Sequence, residues 1–163
     1  MKTNRFTGLM LAALCCVVVS CSDKWDDHYD ARNIVSADIE IYSGDVAAYM
    51  KSQPSLSKIT GLFQSTGILP TITPDGEYTL VLCENDALDM SVIDNDTAFV
   101  KNSISDIAVS PDKLTQNFGI LTRYETLYDK KNLRVYLRGE DTYIEDFKLT
   151  KQVKADNGYI YYV

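Results

Sequence analysis

Few side chains in this chain are equipped for covalent or acid–base chemistry. It holds four cysteines and one histidine. Cys15 and Cys16 sit in an apolar N-terminal run, and Cys21 follows it after Ser20. Cys83 ends the apolar stretch Thr79-Leu80-Val81-Leu82-Cys83, where a thiol reads as a small buried hydrophobe and not as a reactive group. The sole histidine, His28, lies in a polar N-terminal segment. That removes a His-based triad from the body of the chain and any multi-His zinc site. Glu84, Asp86 and Asp89 offer a carboxylate pair in principle, but such acids are common in an acidic chain and read as solvated. Asp94-Asn95-Asp96 has the opening residues of a calcium loop without the Gly and terminal Glu that complete it, so it reads as a helix cap. No Gly-rich phosphate loop is present. These readings point to no catalytic residue, no cofactor and no metal, hence to a protein that is not an enzyme.

The N-terminus carries a different chemistry. Lys2 and Arg5 supply positive charge, Gly8 to Val19 is an uncharged apolar run, and the small Ser20 precedes Cys21. That is the pattern of a secretory signal peptide, residues 1–20. The run is too short for a spanning helix, which needs ~20 residues. Val18-Val19-Ser20-Cys21 resembles the lipobox read by lipoprotein signal peptidase, with Val18 where Leu is usual. The resemblance implies that Cys21 is acylated and becomes the mature N-terminus, so that acyl chains on Cys21 hold the protein at a membrane. One chain holds only marginally, whereas two or three make attachment effectively permanent.

Charge narrows the partners. Cleavage after Ser20 removes Lys2 and Arg5 and no acid, so the net charge moves from −7 to −9. Nucleic-acid binding needs a basic footprint, and this balance argues against it. It argues equally against electrostatic adhesion to anionic lipid. With Cys15 and Cys16 removed and Cys21 acylated, Cys83 is left alone and no intrachain disulfide can form.

Residues 21–36, including Asp23, Trp25, Asp26, Asp27, Tyr29 and Asp30, are polar, acidic and without periodicity. They read as a solvated, lipidated tether and not as a metal site. The domain follows over residues 37–163. Ser43 is placed to cap a helix running through Gln53, with Val46, Ala47, Tyr49 and Met50 on its apolar side and Pro54 discouraging continuation. A second helix begins at Ser55, with Leu56, Ile59, Leu62 and Phe63 on one stripe and Gly67 as a left-handed terminator. Asp75-Gly76 predicts a turn and Glu77 to Cys83 a buried strand. Asn95 or Asp96 caps a third helix with Phe99, Val100, Ile104 and Ile107 on one side, and Pro111 marks a boundary. Strands are predicted over Thr122–Tyr128, Asn132–Leu137, Thr142–Leu149 and Gln152–Val163. Turns carry Asp129-Lys130-Lys131, Arg138-Gly139-Glu140 and Asp156-Asn157-Gly158. In the last strand Tyr159, Tyr161 and Val163 share one face, Ile160 and Tyr162 the other, a pattern that favours cross-strand packing over ligand stacking. A helical first half before a strand-rich second half predicts a single α+β domain.

Four segments in order resemble the signatures of fasciclin-like domains. Thr79 to Leu88 is similar to the family's first strand and the short helix after it, with Thr79, Asn85 and Ala87 coinciding and Asp86 a conservative match. Cys83 and Glu84 depart from the usual Pro and Thr. Phe99 to Ile104 resembles the second signature, with Ser103 where a His is usual. Thr126-Leu127-Tyr128 with Leu133-Arg134-Val135 looks like the next element. Asp156-Asn157-Gly158-Tyr159-Ile160-Tyr161 resembles the terminal strand, with Asn157 and Gly158 at its turn and Tyr161 in place of a His. The match spans residues 43–163 and implies helices packed on a β-sandwich-like strand-rich half. Family domains usually continue past this strand, so the chain is expected to be a short version or a fragment of a longer reading frame.

The acidic start after Cys21 is similar to the surface-export tag of lipoproteins from glycan-degrading Gram-negative anaerobes. Asp96-Thr97-Ala98 resembles the O-glycosylation acceptor of that group, which makes Thr97 a candidate site. Together these resemblances imply an outer-membrane, cell-surface lipoprotein with a non-enzymatic adhesion or binding domain for a protein or glycan partner. The alternative is a structural accessory subunit of an outer-membrane glycan-uptake complex, with no soluble ligand of its own.

Overall fold

A computed structural model describes residues 39–114, 122–127, 131–139 and 141–163. The expected signal peptide, Cys21 and the expected tether with His28 lie outside the described residues, as do Tyr128, Asp129, Lys130 and Glu140.

The helical periodicity of the first half yields short helices with one buried side. α1 (Val46–Ser52) buries Val46, Ala47, Tyr49 and Met50, and α2 (Ser57–Ser65) buries Ile59, Leu62 and Phe63. α3 (Asp96–Asn102) follows, then α4 (Pro111–Leu114), which Pro111 opens. Pro at a first helical position loses no hydrogen bond, since that N–H has no partner within a helix.

The strands form two sheets. In the first, five strands run in the order β1-β8-β9-β2-β3: β1 (Ile39–Ile41), β8 (Lys151–Ala155), β9 (Gly158–Tyr162), β2 (Tyr78–Leu82) and β3 (Ile104–Ser105). β1 pairs parallel with β8 and β2 parallel with β9, while the other two pairings are antiparallel. The second sheet is an antiparallel meander of β4 (Thr122–Glu125), β5 (Asn132–Arg138), β6 (Asp141–Ile144) and β7 (Phe147–Lys148).

The alternation along β9 shows how the layers stack. Ile160 and Tyr162 join Leu80, Leu82 and Val153 in the core beneath the helices. Tyr159, Tyr161 and Val163 face the other way, into a second core with Val135 and Ile144 of the meander. Helices α1 to α3 therefore cover one face of the mixed sheet, and the meander together with α4 covers the other. Both faces of β9 are buried, so its tyrosines pack as expected from their spacing.

The fold is α+β, with five corrections to the sequence reading. Asp45, not Ser43, caps α1: its Oδ1 accepts the Ala48 N–H at 2.6 Å, three residues on, after the chain turns at Gly44. The second helix opens with a 3₁₀ turn at Pro54–Leu56 before α2 begins. The third helix stops at Asn102, because Ile104 pairs with Leu80 in β3 and Ile107 is left 50 % exposed. The run Thr142–Leu149 is two strands, split where Glu145 adopts a left-handed φ of 54°. The mixed sheet also draws β1, β2 and β3 from the first half, so the stacked sheets are not built by the second half alone. β1 carries only three residues, too few for a legible alternation.

Candidate binding cleft

Of the six positions that the resemblance to fasciclin-like domains picks out, four secure the fold. Asn157 is buried; its Oδ1 accepts the Val46 N–H at 2.8 Å and its Nδ2 donates to the Thr73 carbonyl at 3.0 Å. It thereby satisfies the first N–H of α1 from the far end of the chain, a group that no intrahelical partner reaches. Asn85 does the same for α2, whose own N-cap residue makes no side-chain bond. Its Oδ1 accepts the Lys58 N–H at 2.9 Å, and its Nδ2 donates to the Pro54 carbonyl at 3.0 Å and to Ser57 Oγ at 2.9 Å. Thr79 Oγ1 donates to the Ile107 carbonyl at 2.6 Å and accepts the Val109 N–H at 2.8 Å, tying down the segment after β3. Gly158 lies where a Cβ would overlap the Tyr78 carbonyl oxygen of the neighbouring strand. Tyr161 donates its hydroxyl to the Val109 carbonyl at 2.6 Å, and burial pushes its ionisation well above the ordinary tyrosine value.

The other two matched positions are different. Asp86 is exposed, and Ala87 lines a cleft of about 440 Å³. One wall is the segment between β2 and α3, with Leu88, Val92 and Ile93; Ile59 and Phe99 come from the helices. Val81, Cys83 and Val163 come from the mixed sheet, and Leu133, Ile144 and Phe147 from the meander. The volume falls within the range of ligand-binding pockets, ~300–1,000 Å³.

The polar groups on these walls are engaged by neighbouring residues, except Asn102, whose buried Oδ1 has no hydrogen-bond partner among the described residues. Asp89 Oδ1 accepts the Ser91 N–H at 2.9 Å and hydroxyl at 2.7 Å, which hold its pKa below the usual carboxylate value. Glu145 accepts the Arg134 backbone N–H at 2.9 Å and its Nε at 2.8 Å. Ser103 donates to the Phe99 carbonyl at 3.0 Å. Burial raises the Cys83 thiol above its ordinary pKa, which keeps it protonated and weakly nucleophilic. Lys58 Nζ donates to the Asn85 carbonyl at 2.7 Å and the Leu88 carbonyl at 3.3 Å, holding the 84–89 wall against α2. What the cleft offers is apolar surface, not a reacting group.

The remaining candidates, apart from Asp89 on the cleft wall, sit elsewhere. Glu84, Asp86 and Asp89 are all exposed and form no paired carboxylates in a pocket. Asn95 caps α3 by accepting the Ala98 N–H at 2.9 Å, as its position suggested. Thr97 is exposed in the first turn of α3. Among the described residues, no group of three His, Cys, Asp or Glu side chains is arranged to hold a metal ion, and no helix is long and apolar enough to cross a membrane. The cleft itself was missed in the sequence: its lining comes from separate elements, and only the apolar pair Val92-Ile93 between acids hinted at it.

No family model matches the chain, and a search of curated proteins returns no match.

Proposed function

We propose that the chain is an outer-membrane lipoprotein, held by acyl chains on Cys21, whose fasciclin-like domain binds a partner at the cell surface without chemical turnover. The observation that carries this reading is the apolar cleft between the helices and the meander. Buried apolar area contributes ~25 cal/mol per Å² removed from water, so a cleft of this kind gains by being filled. The fasciclin-like reading is supported by Thr79, Asn85 and Asn157, whose side chains bond to distant backbone groups. Residues that fasten distant segments explain why a pattern so thinly spread can define a domain. The partner is a protein in preference to a glycan, because the walls are mainly apolar and, Asn102 apart, their polar groups are engaged.

The test has two arms. Labelled palmitate enters the wild-type protein and not Cys21→Ala. Pull-down from solubilised membranes recovers a stoichiometric partner with wild type and loses it with Ala87→Trp, which fills the cleft. Palmitate-independent retention at the membrane, or recovery unchanged by Ala87→Trp, contradicts the proposal.

A further inference from the structure

We infer that the cleft receives the apolar side chains of a basic, amphipathic segment of a partner protein. This rests on the binding reading above and specifies its ligand. Two observations combine. The first is the mouth of the cleft: Val92 is 71 % exposed and Phe147 62 % exposed, one from the segment before α3 and one from β7. Two large apolar side chains held in water at the rim of an apolar cleft are positioned to close on an apolar anchor.

The second observation is charge. The stretch 84–96 supplies a wall through Ala87, Leu88, Asp89, Val92 and Ile93, and it contains Glu84, Asp86, Asp89, Asp94 and Asp96 with no lysine or arginine; all five acids are exposed, and Asp89 itself lines the cleft. On the meander side stand Glu145 and Asp146. The cations nearby offset only part of this charge: Lys58, Lys101 and Arg134 stand against seven acids and Lys148 cancels Asp141, which leaves an excess of four acids. Lys58 is bound to backbone carbonyls of the wall, Arg134 is paired with Glu145 at 2.7 Å, and Lys148 is paired with Asp141 at 2.8 Å. An apolar floor inside an acidic rim repels acyl carboxylates, anionic lipid and uronic sugars. It attracts lysine and arginine that flank hydrophobic residues. Such a rim acts on encounter over about 8 Å at physiological salt, and the floor sets the residence time.

The experiment uses the full chain in phosphatidylcholine nanodiscs. Three probes are titrated by fluorescence anisotropy: a peptide alternating Lys and Leu around one Trp, the same peptide with Glu for Lys, and maltohexaose. The Lys peptide should bind, weaken as salt rises, and protect Cys83 from maleimide, read by peptide mass spectrometry. Ala87→Trp should weaken it about tenfold, the scale of one displaced apolar anchor. A Glu84→Gln, Asp86→Asn, Asp94→Asn variant should retain binding at high salt and lose most of the salt dependence. Equal affinity for the Lys and Glu peptides overturns the inference, as does binding of maltohexaose alone or Lys-peptide binding that leaves Cys83 unprotected. If Ala87→Trp abolishes partner capture from membranes while the Lys peptide fails to bind, the basic-segment inference is wrong and the binding reading stands.

Discussion

The two sheets of this protein are assembled by opposite strategies. In the meander each strand pairs with the next in sequence, so short turns set the register. In the mixed sheet β1 lies beside β8 and β2 beside β9, pairings that join the two ends of the described chain. Closing such loops costs entropy before any contact forms. The mixed sheet offsets this with burial on both faces and with side chains that bond to distant backbone, Asn157 and Thr79 among them. The meander's outward-facing pairs are surface features: Arg134 with Glu145, Lys148 with Asp141, and the stacked Tyr136 and Tyr143. Long-range pairing needs specific fasteners where local pairing needs only turns.

That contrast can be broken most sharply at Gly158. Gly158→Ala drives a methyl group into the Tyr78 carbonyl, and no flexible side chain is there to yield. The loss should be about 3 kcal/mol or more in urea unfolding, the size reserved for a clash in a core. Asn157→Ala comes next. It leaves the Val46 N–H and the Thr73 carbonyl without their partner, and a loss of about 2–3 kcal/mol is expected from unsatisfied buried groups. Asn85→Ala, at a more exposed site, should cost about 1 kcal/mol, the usual value of a helix cap. A loss at Asn157 no greater than that at Asn85 would remove the distinction between buried and surface fasteners.

Tyrosine ionisation sharpens the same point. Burial raises the folded-state pKa of Tyr161, and burial with the Tyr49 hydroxyl raises that of Tyr162. Above about pH 10 the unfolded chain releases these protons while the folded chain still holds them. Stability is therefore full below pH ~10 and falls as pH rises beyond it. Tyr161→Phe should cost about 1 kcal/mol at neutral pH through the lost bond to Val109, yet flatten the alkaline decline. Equilibrium unfolding between pH 8 and 11 reads both effects.

The smallest effects belong to the meander. Glu145→Ala removes the pairing with Arg134 and should lower the urea midpoint only slightly, less at high salt. Glu145→Gly loses the same pairing but relieves the left-handed backbone, so it should be close to neutral. Urea midpoints of the two variants, compared with that of Gly158→Ala, test whether the outer sheet is as weakly specified as its local topology suggests.

Legibility follows the same division. The helical stripe of Ile59, Leu62 and Phe63 and the two faces of β9 were readable because period alone separates buried from exposed positions. The Asn95 cap was readable because its bond spans three residues. The helical period carries the third helix past Asn102 to Ile107, because period cannot register a competing strand at Leu80. Thr79, Asn85 and Asn157 were noticed as a pattern, but their work as fasteners was hidden, since their partners lie at least 27 residues away.

The order of residues by itself determined the α+β class, the apolar faces, the acidity and the scarcity of catalytic side chains, because these depend on composition and on neighbours within a turn or two. Only the tertiary structure decided which segments share a sheet, which asparagine caps which helix, and that Ala87, Val92, Phe99 and Phe147 line one cleft. Those facts depend on distances between residues remote in sequence, which are set when the separate apolar faces are buried together and the backbone groups left over find partners wherever the packing has brought them.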